Sequence, residues 1–179
     1  GAQLEQGSYA TSYIPTQGGA VTRSADACNN GANEQVINST EGVLYAEISA
    51  LANDGTFRGV SISDGTNGNR IALLFSNNSN RIRVQVLSNN SSTPEVLIDK
   101  NITITQLNKF AFLYKQNNFE FWINGVKVET DLIGNTPIGL NSLQFNSGSG
   151  GSLFYGNVKD IKLYNTALTD AELQALTKI

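Results

Sequence analysis

Between Val43 and Tyr164 the chain repeatedly alternates apolar with polar residues at a period of two, and Asn, Asp, Ser and Gly break the alternation at short intervals. Successive side chains on a strand point to opposite faces, so this period belongs to half-buried strands rather than to helices. In Val43–Ala50, Leu44, Ala46, Ile48 and Ala50 fall on one face, and Tyr45, Glu47 and Ser49 on the other. Phe57–Ser63 and Asn69–Ser76 read as strands on either side of Asp64-Gly65-Thr66-Asn67-Gly68. After the hairpin loop Asn77–Asn80, the run Arg81–Leu87 turns Ile82, Val84 and Val86 inward and Arg81, Arg83 and Gln85 outward. Asn124-Gly125 lies between Phe119–Ile123 and a strand carrying Val126 and Val128. It is the strongest hairpin signal in the chain, because both central residues of the favoured turn need positive φ.

Phe110–Lys115, Ser142–Asn146 and Asn157–Tyr164 are further strands, Glu95–Ile98 and Ile102–Thr105 are weaker ones, and Ser147–Gly151 reads as a flexible loop. Only the C-terminus looks helical. Thr169-Asp170-Ala171-Glu172 is a capping box, followed by an apolar stripe of Leu173, Leu176 and Ile179. One short helix after so many strands predicts an all-β fold, a two-sheet antiparallel sandwich of the jelly-roll kind with a C-terminal helix. Residues 1–35 carry little periodicity and read as a connector plus a first edge strand around Ala20–Ala25, which leaves 36–179 as the sandwich domain.

Composition removes several functions. The chain has no histidine and a single cysteine, Cys28, so it offers no intramolecular disulfide, and the usual base for a serine or cysteine nucleophile is missing. Sandwich glycosidases need paired carboxylates on one strand; Glu47 is followed by Ile48-Ser49 and Glu120 by Phe121-Trp122, so neither has a partner. The expectation is therefore that the domain is not an enzyme. Net charge is −3 with no basic stripe, which argues against nucleic acid as a partner. No apolar run is long enough for a membrane helix, so no membrane insertion is expected. Methionine is absent even at position 1, and the opening residues read like the middle of a protein, so a fragment of a larger chain is expected. The Asn-x-Ser/Thr sequons at Asn38, Asn77, Asn89, Asn90 and Asn101 are what so asparagine-rich a sequence produces by chance.

The segment Phe154-Tyr155-Gly156-Asn157-Val158-Lys159-Asp160-Ile161-Lys162-Leu163-Tyr164-Asn165-Thr166-Ala167-Leu168-Thr169-Asp170-Ala171-Glu172-Leu173 resembles the closing signature of laminin-G-like, concanavalin A-like domains. Phe121-Trp122-Ile123-Asn124-Gly125-Val126 is similar to a hairpin of the same family. The opening, Gln3–Gly7, Ser12–Thr16 and Val21–Arg23, resembles a connector that precedes such domains in phage tail and bacterial surface proteins, and Thr40–Glu47 and Ile62–Thr66 resemble their strands. The resemblance implies a lectin-like module at an extracellular or virion surface that binds a cell-surface glycan or receptor. It also leaves open a structural module contacting other subunits of its parent, a homotrimer among the options, and an accessory module of a polysaccharide-degrading enzyme.

For a sugar, the useful groups are an aromatic ring that stacks on a pyranose and side chains that hydrogen-bond its hydroxyls. Alternation points Trp122 away from the side that Phe121 and Ile123 bury. Tyr114 is expected to share its face, and Arg81, Arg83 and Gln85 to face solvent. The alternative is that Trp122 packs under the terminal helix or a neighbouring subunit. Domains of this family often hold Ca²⁺ through loop oxygens, and two loops qualify: Asp64 with Asn67 and Asn69, and Asn53-Asp54. The competing reading of both is a pair of Asx turns.

Overall fold

The computed structural model describes residues 31–179 together with Pro15, Gly18 and Gly19. The expected edge strand at Ala20–Ala25 and Cys28 lie outside the described residues.

Among the described residues ten strands and one helix follow in order. They are β1 (Glu41–Ala50), β2 (Arg58–Ser63), β3 (Arg70–Phe75), β4 (Arg81–Leu87), β5 (Val96–Asn101), β6 (Asn108–Lys115), β7 (Asn118–Ile123), β8 (Val126–Asp131), β9 (Ser142–Gln144), β10 (Gly156–Tyr164) and α1 (Asp170–Thr177). They form two antiparallel five-stranded sheets, β10-β1-β6-β7-β8 and β5-β4-β3-β2-β9. The predicted two-sheet sandwich is the observed fold.

Alternation builds the core. Leu44, Ala46 and Ile48 of β1, with Phe110 and Phe112 of β6 and Phe119 and Phe121 of β7, face Val60, Ile62, Ile71, Leu73, Val84 and Val86 of the other sheet. Phe110 and Phe121 stack with centroids 6.2 Å apart, and Phe112 meets Phe121 edge-on at 6.4 Å, geometries that aromatic pairs prefer. The β7–β8 hairpin turns at Asn124 (φ 51°) and Gly125 (φ 83°), as its Asn-Gly sequence requires.

The helix closes a second, smaller core. Leu173 packs with Val43, Tyr45, Ala111, Leu113 and Trp122 on the outer face of the β1-containing sheet. Its capping box is formed: the Glu172 amide donates to Thr169 Oγ1 at 3.4 Å, and the Thr169 amide donates to Glu172 Oε2 at 2.8 Å. The expected stripe is corrected at its end. The helix stops at Thr177, which is buried, and Ile179 is 81% exposed. Thr169→Ala is expected to cost about 1 kcal/mol, read as a lower urea midpoint followed by Trp122 fluorescence, with Thr169→Ser restoring most of it.

Two other readings change. Ile102–Thr105 is not a strand: β5 already runs to Asn101, and Ile104 then plugs into the core while its carbonyl accepts from the Ala50 amide at 2.7 Å. Tyr45, Glu47 and Ser49 are buried rather than solvent-facing. β1 is flanked by β10 and β6; Leu173 of the helix packs with Tyr45, and the Lys162 ammonium sits 5.1 Å from the Tyr45 ring centroid.

Candidate glycan-facing surface

The aromatic candidates do not form a platform. Trp122 is 5% exposed beneath α1, and its indole N–H donates to Glu120 Oε2 at 3.1 Å. Tyr114 does not share that face. It sits opposite Phe119 in the register while Trp122 sits opposite Ala111, which places Tyr114 among the inter-sheet core residues. Its hydroxyl donates to the Asn38 carbonyl at 2.8 Å, and burial pushes the phenol well above its ordinary pKa. Neither ring can stack on a sugar, because both faces of each are taken up by packing.

The polar candidates do come together, on the outer face of the β2-containing sheet. The register sets Arg83 between Leu74 and Asp99, and Gln85 between Ala72 and Leu97. Ala72 lies opposite Ser61, and Leu74 opposite Gly59. The floor of this face is thus Gly59, Ser61, Ala72 and Leu74, all buried beneath the long polar side chains around them. Arg81 Nε donates to Asp99 Oδ1 at 2.6 Å, and Arg83 Nη2 to Asp99 Oδ2 at 2.8 Å. Burial alone would raise the Asp99 carboxyl, but the hydrogen bonds and charges of the two arginines outweigh it and hold the group below the usual carboxylate range. A carboxyl with a depressed folded-state pKa contributes stability above its unfolded value and loses it as pH falls through the folded one. Asp99→Asn is therefore expected to flatten the acid limb of a melting-temperature profile, with little change in the slope at neutral pH.

One residue that the sequence reading missed completes the surface. Arg70, the first residue of β3, lies opposite Ser63 of β2 and Leu87 of β4. Its Nη1 donates to Asn67 Oδ1 at 2.5 Å and to the Ser147 carbonyl at 2.7 Å, and its Nη2 donates to Gln85 Oε1 at 3.2 Å. All three acceptors are neutral. Among the described residues no carboxylate pairs with Arg70, and its Nε is buried without a partner, as is Ser61 Oγ nearby. The segment Ser147–Gly151, expected to be a flexible loop, is instead tied down as a wall by Asn146 and Ser63. Asn146 Oδ1 accepts from the Gly148 amide at 2.6 Å, and Ser63 Oγ donates to the Gly148 carbonyl at 3.0 Å. Gly148 sits at φ 110°, and a Cβ there would come within 3.2 Å of Arg70 Cδ, so only glycine lets the wall close on the guanidinium.

The calcium loops do not fit the ion. Asp64 Oδ1 accepts from the Thr66 amide at 2.9 Å and from Thr66 Oγ1 at 2.6 Å, and Oδ2 accepts from Asn69 Nδ2 at 3.0 Å. Donors occupy the positions from which a cation would be approached, and Asn67 turns its oxygen to Arg70. Asp54 is ion-paired with Arg58, a buried arginine. The two carboxylates stand beyond opposite ends of β2, too far apart to share an ion. Among the described residues no three His, Cys, Asp or Glu side chains cluster.

The family model described as the concanavalin A-like lectin/glucanases superfamily matches residues 31–174. The chain belongs to that superfamily. No curated protein matches it. Among solved structures, this superfamily member is similar to the CBM40 of the Ruminococcus gnavus IT-sialidase bound to α2,3-sialyllactose, at 15% identity and a TM-score of 0.65, covering 87% of this chain and 97% of the other. It is also similar to the leech intramolecular trans-sialidase complexed with 2,7-anhydro-Neu5Ac, at 17% identity and a TM-score of 0.65, covering 82% of this chain but only 24% of the enzyme. The binding domain of botulinum neurotoxin DC, in complex with rat synaptotagmin II, matches at 13% identity and a TM-score of 0.56, over 77% and 35% of the two chains. At these identities the likeness concerns the superfamily fold.

Proposed function

We propose that this domain is a non-catalytic carbohydrate-binding module that takes acidic glycans on the outer face of the β2-containing sheet. The observation that carries the reading is Arg70, a partly exposed guanidinium held, among the described residues, by neutral oxygens alone, on a face where the described residues supply three arginines and one carboxylate. In a chain of net charge −3, that local excess of cation marks a place suited to an anion. Arg83, Gln85 and Arg81 supply further donors around it. A guanidinium recognises a sugar carboxylate by two parallel hydrogen bonds, and the neighbouring CBM40 structure holding sialyllactose supports an acidic sugar as the ligand class.

The non-catalytic part is supported by the two strand glutamates. Glu47 is paired with Lys159 at 2.8 Å and Glu120 with Lys127 at 3.0 Å, so each is committed to a lysine. The location that goes with this reading is extracellular, as a displayed module of a larger protein. The opening residues favour a phage tail or bacterial surface protein, and the sialidase neighbours favour an accessory module of a glycan-degrading enzyme. No helix among the described residues is long and apolar enough to cross a membrane.

Calorimetric titration with 3′-sialyllactose and with lactose tests the proposal. Binding of the first, weakened by salt, with none of the second is the expected result. Equal binding of both, or binding of neither, would remove the acidic-glycan reading.

A further inference from the structure

The turn joining β2 to β3 contains Asn67-Gly68, and its surroundings differ from those of the chain's other described Asn-Gly pair, Asn124-Gly125. Asn67 is exposed at the turn. The Gly68 N–H donates to Thr66 Oγ1 at 3.2 Å, and Thr66 Oγ1 donates in turn to the Asp64 carboxylate at 2.6 Å. The Gly68 N–H therefore lies at the head of a hydrogen-bonded chain that ends on the Asp64 carboxylate. On the other side, the Arg70 guanidinium donates to Asn67 Oδ1 at 2.5 Å. Oδ1 is the atom that becomes negative when the side-chain amide carbon is attacked, and a fixed cation there stabilises that charge.

Around Asn124 the same elements are missing. Its Oδ1 accepts from the Lys109 amide at 2.9 Å, its Nδ2 donates to Asn108 Oδ1 at 2.9 Å, and its backbone is set at φ 51°. The Gly125 N–H does donate to a hydroxyl, Thr177 Oγ1, but that hydroxyl ends on the Leu173 carbonyl, which is no base.

We infer that Asn67 is a self-modifying site, converted without an enzyme to aspartate and isoaspartate by its own turn. The Gly68 nitrogen gives up its proton towards Thr66 and Asp64 and forms a bond to Asn67 Cγ. The Cγ–Nδ2 bond then breaks, and ammonia leaves with the returned proton, closing a succinimide ring. Water opens the ring at either carbonyl. One water is consumed and one ammonia released, and nothing is oxidised or reduced. Asparagine is thermolabile in general; here the neighbours favour the reaction at one position. The product places a carboxylate beside Arg70, the guanidinium that has none among the described residues. Given the glycan-binding reading above, on which this consequence rests, the modification halves the surface's excess of positive charge and gives Arg70 an internal anion that competes with a bound one.

The test is peptide mapping of the intact protein during incubation at neutral pH and body temperature, beside a short synthetic peptide of the same turn. Residue 67 is expected to convert several-fold faster than Asn124 and than the free peptide. Thr66→Val and Arg70→Gln should each bring the rate down to that of the peptide or below. Conversion no faster than in the peptide overturns the inference, as does an unchanged rate in Thr66→Val; the comparison with the peptide needs no variant to fold. Separately, Asn67→Asp is expected to weaken sialyllactose binding about tenfold. Should the unmodified protein bind no sialyllactose, the glycan reading fails while the rates at residue 67 still decide this one.

Discussion

Phe121→Ala is expected to remove about 3–5 kcal/mol of folding stability, the range for deleting a buried phenylalanine side chain. Phe121 has no exposed surface, stacks on Phe110, and meets Phe112 edge-on at the middle of the inter-sheet core. A domain of this size is stable by only about 5–15 kcal/mol, so the loss is a large share of the whole. Urea unfolding followed by Trp122 emission measures it directly, since the single tryptophan adjoins the mutated residue. A loss below about 1.5 kcal/mol, as for volume-conserving swaps, would show that the sheets do not interlock through this side chain.

Arg70→Gln is expected to lower affinity for sialyllactose by about thirtyfold, corresponding to about 2 kcal/mol for the lost charged hydrogen bonds. Arg70→Lys should recover only part of this, because an ammonium keeps the charge without the planar fork. Arg83→Ala should cost less, because Arg81 still holds Asp99. Arg70→Gln should also lower stability by about 1–2 kcal/mol, because it removes the hydrogen bonds to Asn67, Gln85 and the Ser147 carbonyl, so binding is compared at a temperature where both proteins are folded. Undiminished binding in Arg70→Gln would place the glycan surface elsewhere.

These two residues stood differently in the sequence. Phe121 belongs to an alternating run whose inward face could be read at once. Arg70 opens a run, Arg-Ile-Ala-Leu-Leu-Phe, whose outward positions include Ala72 and Leu74, so nothing marked that face as a polar surface. The signal that could have found it is parity: Arg70 shares its face with the small and polar outward residues of β2 and β4. The contacts that give Arg70 its character come from Asn67, from Gln85 and from Ser147, which is 77 residues away.

Trp122 follows the alternative reading, packed under the terminal helix rather than open to a sugar. Alternation placed it on the correct side of β7, away from Phe121, but that side is covered by α1. Tyr114 was assigned to the wrong face although alternation along β6 puts it on the side of Phe110 and Phe112, because both faces of that strand are apolar and its polar hydroxyl suggested the outer one. The calcium loops looked oxygen-rich as sequence, yet their amides present N–H groups to the carboxylate they flank.

The amino-acid sequence by itself determined the strands, the Asn-Gly hairpin, the capped helix, and which residues of β4 face inward, because alternation, positive φ and capping are properties of a few neighbouring residues. Only the tertiary structure decided which outward faces meet water: the helix buried Trp122, and a loop distant in sequence left Arg70 a cation among neutral partners. Coverage and pairing depend on what packs across each face, and that is fixed by contacts between residues far apart in the chain.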